Sequence, residues 1–192
     1  MFWECIPNMI LEYFQQLMDA NGIAWIIGQA FGIVAILLGF LNYQMRTQRG
    51  ILLVQTITAL VFCVHYFLIG AYAGTALNAI NILRNVVYDY RLKKGLNDKL
   101  IPLSFVALQS VACIVTSEAW YAVFVLVGIG LNSYCMSFSD PQRVRKSILI
   151  TSPLVLVYDA LSGSVGGCIY ETVAITSAVI GIFQNRKKRE EI

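Results

Sequence analysis

Apolar residues occupy most of this chain in long runs, with short polar or glycine-containing breaks between them. A membrane hydrocarbon core about 30 Å thick is crossed by a helix of roughly 20 such residues. Turn residues or lone charges interrupt the runs at residues 70–71, 117–118 and 162–163. We therefore predict seven transmembrane helices, near residues 23–43, 51–69, 72–90, 100–117, 119–137, 147–162 and 167–185. The sixth is short and contains Pro153, which is expected to kink it.

The segment ahead of the first run has a different pattern. Its apolar residues fall on one helical face: Ile10, Tyr13, Phe14, Leu17 and Met18. Pro7 and Asn8 precede this face as a start signal, and Gly22 follows it as a stop. Residues 1–22 are thus predicted to form an amphipathic helix that lies on the membrane surface.

Composition supports an integral membrane protein. Hydrophobic residues make up 58% of the chain and charged residues 13%, against roughly 25% charged residues in soluble domains. Lys and Arg collect in alternate loops, and such loops are typically cytoplasmic. This places the N-terminus outside and the C-terminus in the cytoplasm. The net charge of +3 follows from these loops and does not indicate nucleic-acid binding. The basic residues in or next to these loops are Arg46, Arg49, Arg91, Lys93, Lys94, Lys99, Arg143, Arg145, Lys146, Arg186, Lys187, Lys188 and Arg189.

An internal repeat gives the best indication of architecture. Residues 63–81 return 93 positions later as residues 156–174, and each copy joins two apolar runs through a Gly-x-x-x-Gly step. A second, weaker similarity relates residues 39–42 to residues 130–132. Internal duplication of helix groups is typical of secondary transporters. The identical pairs in the main repeat are Val64 and Val157, Leu68 and Leu161, Gly70 and Gly163, and Gly74 and Gly167.

Seven helices and one repeat predict an all-α membrane helix bundle of two three-helix repeats joined by a linker helix. Three helices reverse the direction of the chain, so one extra crossing is needed for the second triplet to run parallel to the first. This 3+1+3 plan resembles the SWEET and PQ-loop transporters in architecture, although their Pro-Gln pair is missing from helices 1 and 5 here. The predicted units are residues 1–22, 23–92 (first repeat), 93–118 (loop and linker helix), 119–185 (second repeat) and 186–192 (basic cytoplasmic tail).

Polar residues inside the predicted helices are the candidates for function, because a charge at the bilayer centre costs about 2.5 to 3.5 kcal/mol on insertion scales. The repeat aligns Asn78 with Glu171 and Tyr66 with Asp159. Arg84 continues the helical face of Asn78 and is a candidate for ion pairing or coupling. The alternative role of these polar residues is structural, namely a simple hydrogen bond between helices that is worth about 0.6 kcal/mol. The candidate substrate-binding residues are His65, Asn78, Asn81, Asp159 and Glu171.

Several stretches of the chain resemble one family closely. They are residues 28–32 (GQAFG), 64–70 (VHYFLIG), 77–80 (LNAI) and 163–167 (GSVGG) followed by Glu171. Together they look like the YgjV family of bacterial inner membrane proteins, over about residues 23–190. The resemblance implies a fold and a location in the inner membrane, and it implies no activity. Tyr158 and Asp159 depart from the His-Asn pair associated with the family.

Catalysis, cofactors and metal sites are not predicted. The chain has one histidine and five dispersed cysteines, without a phosphate-binding glycine loop or metal-ligand spacing. The favoured function is transport of a small solute between the two triplets. Carboxylates in the pathway would suit a cationic or polyhydroxylated solute, or proton coupling. The alternatives are a non-transporting membrane scaffold or sensor and, third, a lipid-handling accessory protein. The lipid bilayer is the one certain partner, and a homo-oligomer is compatible with the sequence.

Overall fold

The computed structural model of the protein describes residues 22–42, 45, 47–96, 99–117, 119–138 and 141–190. All structural statements below concern these residues. Side chains are not described at residues 141, 142, 181 and 183–190. The predicted surface helix of residues 1–22 lies outside the described residues, apart from Gly22.

Seven helices make up the described chain, so the all-helical prediction is confirmed. They are α1 (Gly22–Asn42), α2 (Gln48–Leu68), α3 (Tyr72–Lys94), α4 (Leu100–Thr116), α5 (Ala122–Met136), α6 (Pro141–Leu161) and α7 (Val165–Glu190). α6 begins six residues before its predicted start and is one continuous helix that includes Pro153. α7 extends beyond residue 185 into the segment predicted as a tail.

Two of the described helices, α1 and α2, are long and apolar enough to cross a membrane by length and composition alone. α4, α5 and Val165–Ile180 of α7 are apolar but shorter. α3 and α6 have lower mean hydropathy, because α3 carries buried polar residues such as Asn78 and Arg84 and α6 carries exposed basic residues such as Arg143 and Lys146 in its first turns. Seven complete membrane crossings therefore remain a prediction.

Successive helices pack against each other from α2 to α7, and α3 also packs on α5. Because the connections are short, neighbouring helices run in opposite directions. One end of the bundle, named here the turn end, carries the α2–α3 and α6–α7 connections. The other, the basic end, carries the charged residues: Asp89 of α3 pairs with Arg49 of α2 at 2.8 Å and with Lys93 at 2.6 Å.

The bundle is apolar outside and polar inside, the reverse of a soluble protein. Ile23, Ile114 and Val115 leave 73% or more of their surfaces exposed. In contrast, side chains such as His65 and Gln109 are completely buried. A large contiguous apolar exterior is unfavourable in water and favourable in lipid. The distribution fits a helix bundle surrounded by hydrocarbon.

Matched glycines form the two connections at the turn end. Gly70 and Gly163 have φ angles of +79° and +71°, in the left-handed region that glycine adopts without steric cost. The backbone N–H after each glycine donates to the carbonyl five residues earlier, at 2.9 Å after Gly70 and 2.8 Å after Gly163. These bonds cap the free carbonyls of a helix end. Positions 93 residues apart thus have the same local structure.

The second glycine of each Gly-x-x-x-Gly step packs within its own helix pair. A Cβ atom added to Gly74 would lie 2.9 Å from Cγ of Tyr66, and one added to Gly167 would lie 2.5 Å from Cγ of Asp159. Tyr66 and Asp159 are themselves 93 residues apart. Gly74 therefore makes room for the side chain of Tyr66, and Gly167 makes room for the side chain of Asp159 in the same way.

One close backbone approach joins α1 and α7. The sequence pattern suggests that the two triplets meet through residues 70–74 and 163–167, and the second segment takes part through Gly166, but its close partner is Gly32 of α1. A Cβ on Gly166 would lie 2.5 Å from Cα of Gly32, and one on Gly32 would lie 2.8 Å from Cα of Gly166. Small residues let two membrane helices approach in this way.

Candidate functional site

A polar cavity of about 100 Å³ lies inside the bundle. Such a volume holds several water molecules or a small polar solute. Its described lining comes from α1, α2, α3, α5, α6 and α7, and α4 supports it from behind. The polar residues that line it are Asn42, Gln55, Thr58, Tyr66, Asn78, Asn81, Arg84, Asn85, Asn132, Thr151, Ser152, Tyr170 and Glu171.

Positions 93 residues apart line this cavity together. Asn78 of α3 and Glu171 of α7 form one such pair, and Thr58 of α2 and Thr151 of α6 form another. The pairs place similar parts of the two predicted triplets on opposite sides of one space. The remaining pairs are Gln55 and Ile148, Ala59 and Ser152, Phe62 and Val155, and Asn81 and Ala174.

The structure brings four of the six predicted site residues to the cavity: Asn78, Asn81, Arg84 and Glu171. His65 and Asp159 are absent from the described lining. Both are completely buried at the turn end instead, in a separate hydrogen-bond network. Spacing along the helix does not explain this difference, because Tyr66, which adjoins His65 and bonds Asp159, does line the cavity.

A chain of hydrogen bonds fixes the side chains at the inner part of the cavity. Arg84 donates from Nη1 to Oγ of Ser133 at 2.6 Å. Ser133 donates to Oε1 of Gln109 at 2.9 Å, and Gln109 donates from Nε2 to Oδ1 of Asn81 at 2.9 Å. The guanidinium group only donates, so its position sets the direction of every later bond. α4 takes part in the site through Gln109.

The network at the turn end connects the two triplets. Tyr66 of α2 donates its hydroxyl hydrogen to Oδ1 of Asp159 in α6 at 2.5 Å. His65 lies 2.7 Å from Oγ of Ser164, the residue before α7, and 2.7 Å from the carbonyl oxygen of Gly28 in α1. These contacts join α1, α2, α6 and the start of α7 in one buried cluster.

The contacts of His65 and Tyr158 at the turn end are arranged symmetrically. His65 and Tyr158 are 93 residues apart. His65 reaches Ser164, which accepts from the N–H of Gly167 near the start of α7 at 3.1 Å. The Tyr158 hydroxyl accepts from the N–H of Gly74 near the start of α3 at 3.0 Å. Each residue thus reaches the first turn of the third helix in the opposite triplet.

The contact between Tyr66 and Asp159 joins two positions that are equivalent in the predicted repeat. Tyr66 also lines the cavity, and its ring stacks on Phe62 with 5.5 Å between centroids. Phe62 in turn packs edge-on against Tyr170 of α7. These aromatic rings form the cavity wall toward the turn end.

The pair of Tyr66 and Asp159 should be energetically coupled. Tyr66→Phe removes the donor and leaves a buried carboxyl, and Asp159→Leu removes the acceptor with little change in volume. Leaving such a group unsatisfied costs about 1–3 kcal/mol. We expect the double variant to lose less stability than the sum of the singles, by roughly 0.5–3 kcal/mol, in equilibrium unfolding in detergent micelles. Strictly additive losses would contradict a direct hydrogen bond.

Some polar atoms at the cavity lack a partner within the described chain. They are Oδ1 of Asn42, Oδ1 of Asn132 and Nδ2 of Asn85. A buried polar group without a hydrogen bond is costly, so water or a polar solute is expected to satisfy them. Across the described residues, His, Cys, Asp and Glu form no group of three that would hold a metal ion.

The comparisons with known proteins agree with this membrane setting. The model of the family Imp-YgjV, described as a bacterial inner membrane protein, matches residues 26–189. Neither a curated protein nor a solved structure matches the chain. The resemblance to the SWEET and PQ-loop plan accordingly stays a prediction. Because the family match covers most of the sequence and the bundle is apolar outside, the chain belongs to the Imp-YgjV family of bacterial inner membrane proteins.

Proposed function

We propose that this protein is a small-solute transporter or permease of the bacterial inner membrane, with no enzymatic activity. The solute site is the polar cavity between two parallel three-helix repeats, α1–α3 and α5–α7, and α4 is the linker helix. Seven membrane crossings complete the arrangement. Parallel repeats that enclose a central polar site are a common plan of secondary transporters.

The observation that carries the proposal is the matched lining of the cavity. Asn78 and Glu171, at equivalent positions of the two repeats, both line it, as do Thr58 and Thr151. Polar groups that only joined helices would have no need to enclose a space. A scaffold or sensor, the alternative function, would use the same residues as packing contacts and leave no solvated cavity.

In an alternating-access mechanism, the hydrogen-bond network at the turn end closes the cavity on that side. Tyr66 touches both the cavity and Asp159, so its hydrogen bond holds the turn end of the triplets together. Opening the cavity toward that side requires this bond to break and the aromatic wall to separate. The turn end is predicted to face the cell exterior, because the basic end is expected to face the cytoplasm.

Uptake into proteoliposomes tests the proposed function. Purified protein is reconstituted and tested with a panel of labelled amino acids, hydroxy acids, sugars and polyamines, with and without a pH gradient. We expect uptake of one chemical class above that of protein-free liposomes. A requirement for the pH gradient would identify proton coupling. Absence of uptake for every class, with folded protein in the liposomes, would favour the scaffold.

The orientation is tested by labelling. In a background without native cysteines, Trp120→Cys places a thiol at the turn end, where Trp120 is 75% exposed. Lys94→Cys places one at the basic end. A membrane-impermeant thiol reagent added to spheroplasts should modify Trp120→Cys and leave Lys94→Cys unmodified until the membrane is permeabilised. The reverse result would invert the predicted topology.

A further inference from the structure

The charge of Arg84 narrows the class of solute. Arg84 is 1% exposed and lines the cavity. Its described partners are all neutral: besides Ser133, Nε and Nη2 donate to Oδ1 of Asn85 at 3.1 and 2.8 Å, and Nη2 lies 3.5 Å from Oε1 of Gln55. Arginine does not lose its proton in proteins. The described contacts that hold this buried positive charge are therefore neutral hydrogen-bond partners and the ring of Tyr88, whose centroid lies 6.0 Å from the guanidinium carbon.

Two carboxylates in the described chain, those of Asp89 and Asp159, are engaged elsewhere. Asp89 forms its ion pairs with Arg49 and Lys93 at the basic end, and Asp159 binds Tyr66 at the turn end. Glu171 lines the same cavity, but no ion pair joins it to Arg84 within the described residues. An unpaired buried charge is strongly unfavourable, so an anion from outside the chain is the expected counter-charge.

Hydrogen-bond directions around Arg84 leave further donors for such an anion. The guanidinium donates to Oδ1 of Asn85, and this bond fixes the orientation of the Asn85 amide. The Nδ2 atom of that amide is buried and has no described partner. By the same logic, Oδ1 of Asn81 accepts from Gln109, which leaves the Asn81 amide nitrogen available to the cavity. Both residues line the cavity beside Arg84. One charged and two amide-bearing side chains thus belong to the lining of the same cavity.

The opposite part of the cavity carries acceptors. Asn78 donates from Nδ2 to the carbonyl oxygen of Gly74, so its side-chain oxygen remains to accept, and Glu171 supplies a carboxyl group. Arg84 lies six residues beyond Asn78 on α3, about 9 Å along the helix. The cavity therefore has the Arg84 charge nearer the basic end, where Oδ1 of Asn42 and Oδ1 of Asn132 are also unpaired, and the acceptors Asn78 and Glu171 nearer the turn end.

We infer that the solute is a small carboxylate whose other end donates hydrogen bonds, that is, a short hydroxy acid or amino acid. Arg84, with the amides of Asn81 and Asn85, binds the carboxylate, and Asn78 and Glu171 bind the hydroxyl or amino group. The volume of about 100 Å³ limits the solute to a few heavy atoms. This inference rests on the proposed function and replaces the cationic or polyhydroxylated solute that the sequence favours.

Binding to the purified protein tests the inference without transport. Thermal unfolding in detergent is followed with L-lactate, lactamide, L-alanine and alaninamide, against sodium chloride at equal ionic strength. Lactate and lactamide have the same size and differ in charge. We expect lactate or alanine, or both, to raise the unfolding temperature and the two amides to have no effect. This comparison uses the unaltered protein, so it stays decisive if a variant fails to fold.

Two variants assign the effect to Arg84. Arg84→Gln should weaken carboxylate binding about tenfold or more, because charge-assisted hydrogen bonds are lost. Arg84→Lys should retain part of the binding. Lys94→Gln, which removes one exposed positive charge at the basic end, is the matched control and should bind as the unaltered protein does.

The outcomes separate this inference from the proposed function. Equal stabilisation by lactate and lactamide, or by lactate and chloride, would overturn the carboxylate assignment, and uptake of a solute that has no carboxylate would overturn it while supporting transport. Carboxylate binding that depends on Arg84, without uptake into liposomes, would support the assignment and contradict transport.

Discussion

A Glu171→Gln variant is expected to fold. Its initial uptake should be at least about tenfold lower than that of the unaltered protein, or its uptake should no longer depend on a pH gradient. Glu171 contributes the described carboxyl group of the cavity, opposite Asn78, and lies beside the Ser152 hydroxyl. Glutamine keeps the volume and removes the charge, so folding should survive. The measurement is initial uptake in proteoliposomes with equal amounts of folded protein.

The matched control is Thr172→Val, on the next residue of α7. Thr172 is exposed and hydrogen-bonds the Cys168 carbonyl in its own helix, so uptake should be unchanged. If Glu171→Gln retained the uptake and the pH response of the unaltered protein, Glu171 would have no part in solute selection, and the scaffold alternative would gain support.

The second large effect concerns assembly: Gly166→Leu should prevent accumulation of folded protein. Its Cβ would lie 2.5 Å from the Cα atom of Gly32, and this neighbour is backbone that cannot rotate away. Overpacking costs typically 1–3 kcal/mol and occasionally more, and here α1 and α7 would have to separate. Detergent extraction followed by size-exclusion chromatography measures the yield of monodisperse protein.

Gly130→Ala is the control for this variant, since its Cβ would meet Val106 at an ordinary 3.8 Å. We expect a yield close to that of the unaltered protein. Gly166→Leu with an unchanged yield and unfolding temperature would contradict the close packing of α1 on α7.

The helices could be predicted from apolar runs, because the bilayer imposes both their length and their composition. The exceptions have physical reasons. α6 starts at Pro141, a residue favoured in the first turn of a helix, and its polar first turns carry no hydropathy signal. Repeat matching predicted the equivalence of Tyr66 and Asp159, which the structure places in contact. It could not predict the Gly32–Gly166 approach, since packing between distant helices leaves no periodic pattern.

Part of the candidate site could also be predicted from the sequence. Asn78, Asn81 and Arg84 recur every three residues on α3, so a shared face was predictable, and they line one cavity. Asn85 and Ser133 were missed because neither carries a charge and the 93-residue offset aligns neither with a polar residue. The signal that would have found others is the 93-residue offset, which pairs Thr58 with Thr151. The level of His65 relative to the cavity depends on side-chain contacts that spacing does not determine.

Solvent access to the cavity tests the central claim most directly. Ser152→Cys and Thr58→Cys place thiols on opposite cavity walls, and Val115→Cys, at a position 77% exposed on the apolar exterior, is the control. A charged, membrane-impermeant methanethiosulfonate is applied to spheroplasts and to inverted vesicles in a background without native cysteines. Alternating access predicts that both cavity thiols react from both sides and that the control does not. Folded protein whose cavity thiols react from neither side would contradict a solute pathway between the triplets.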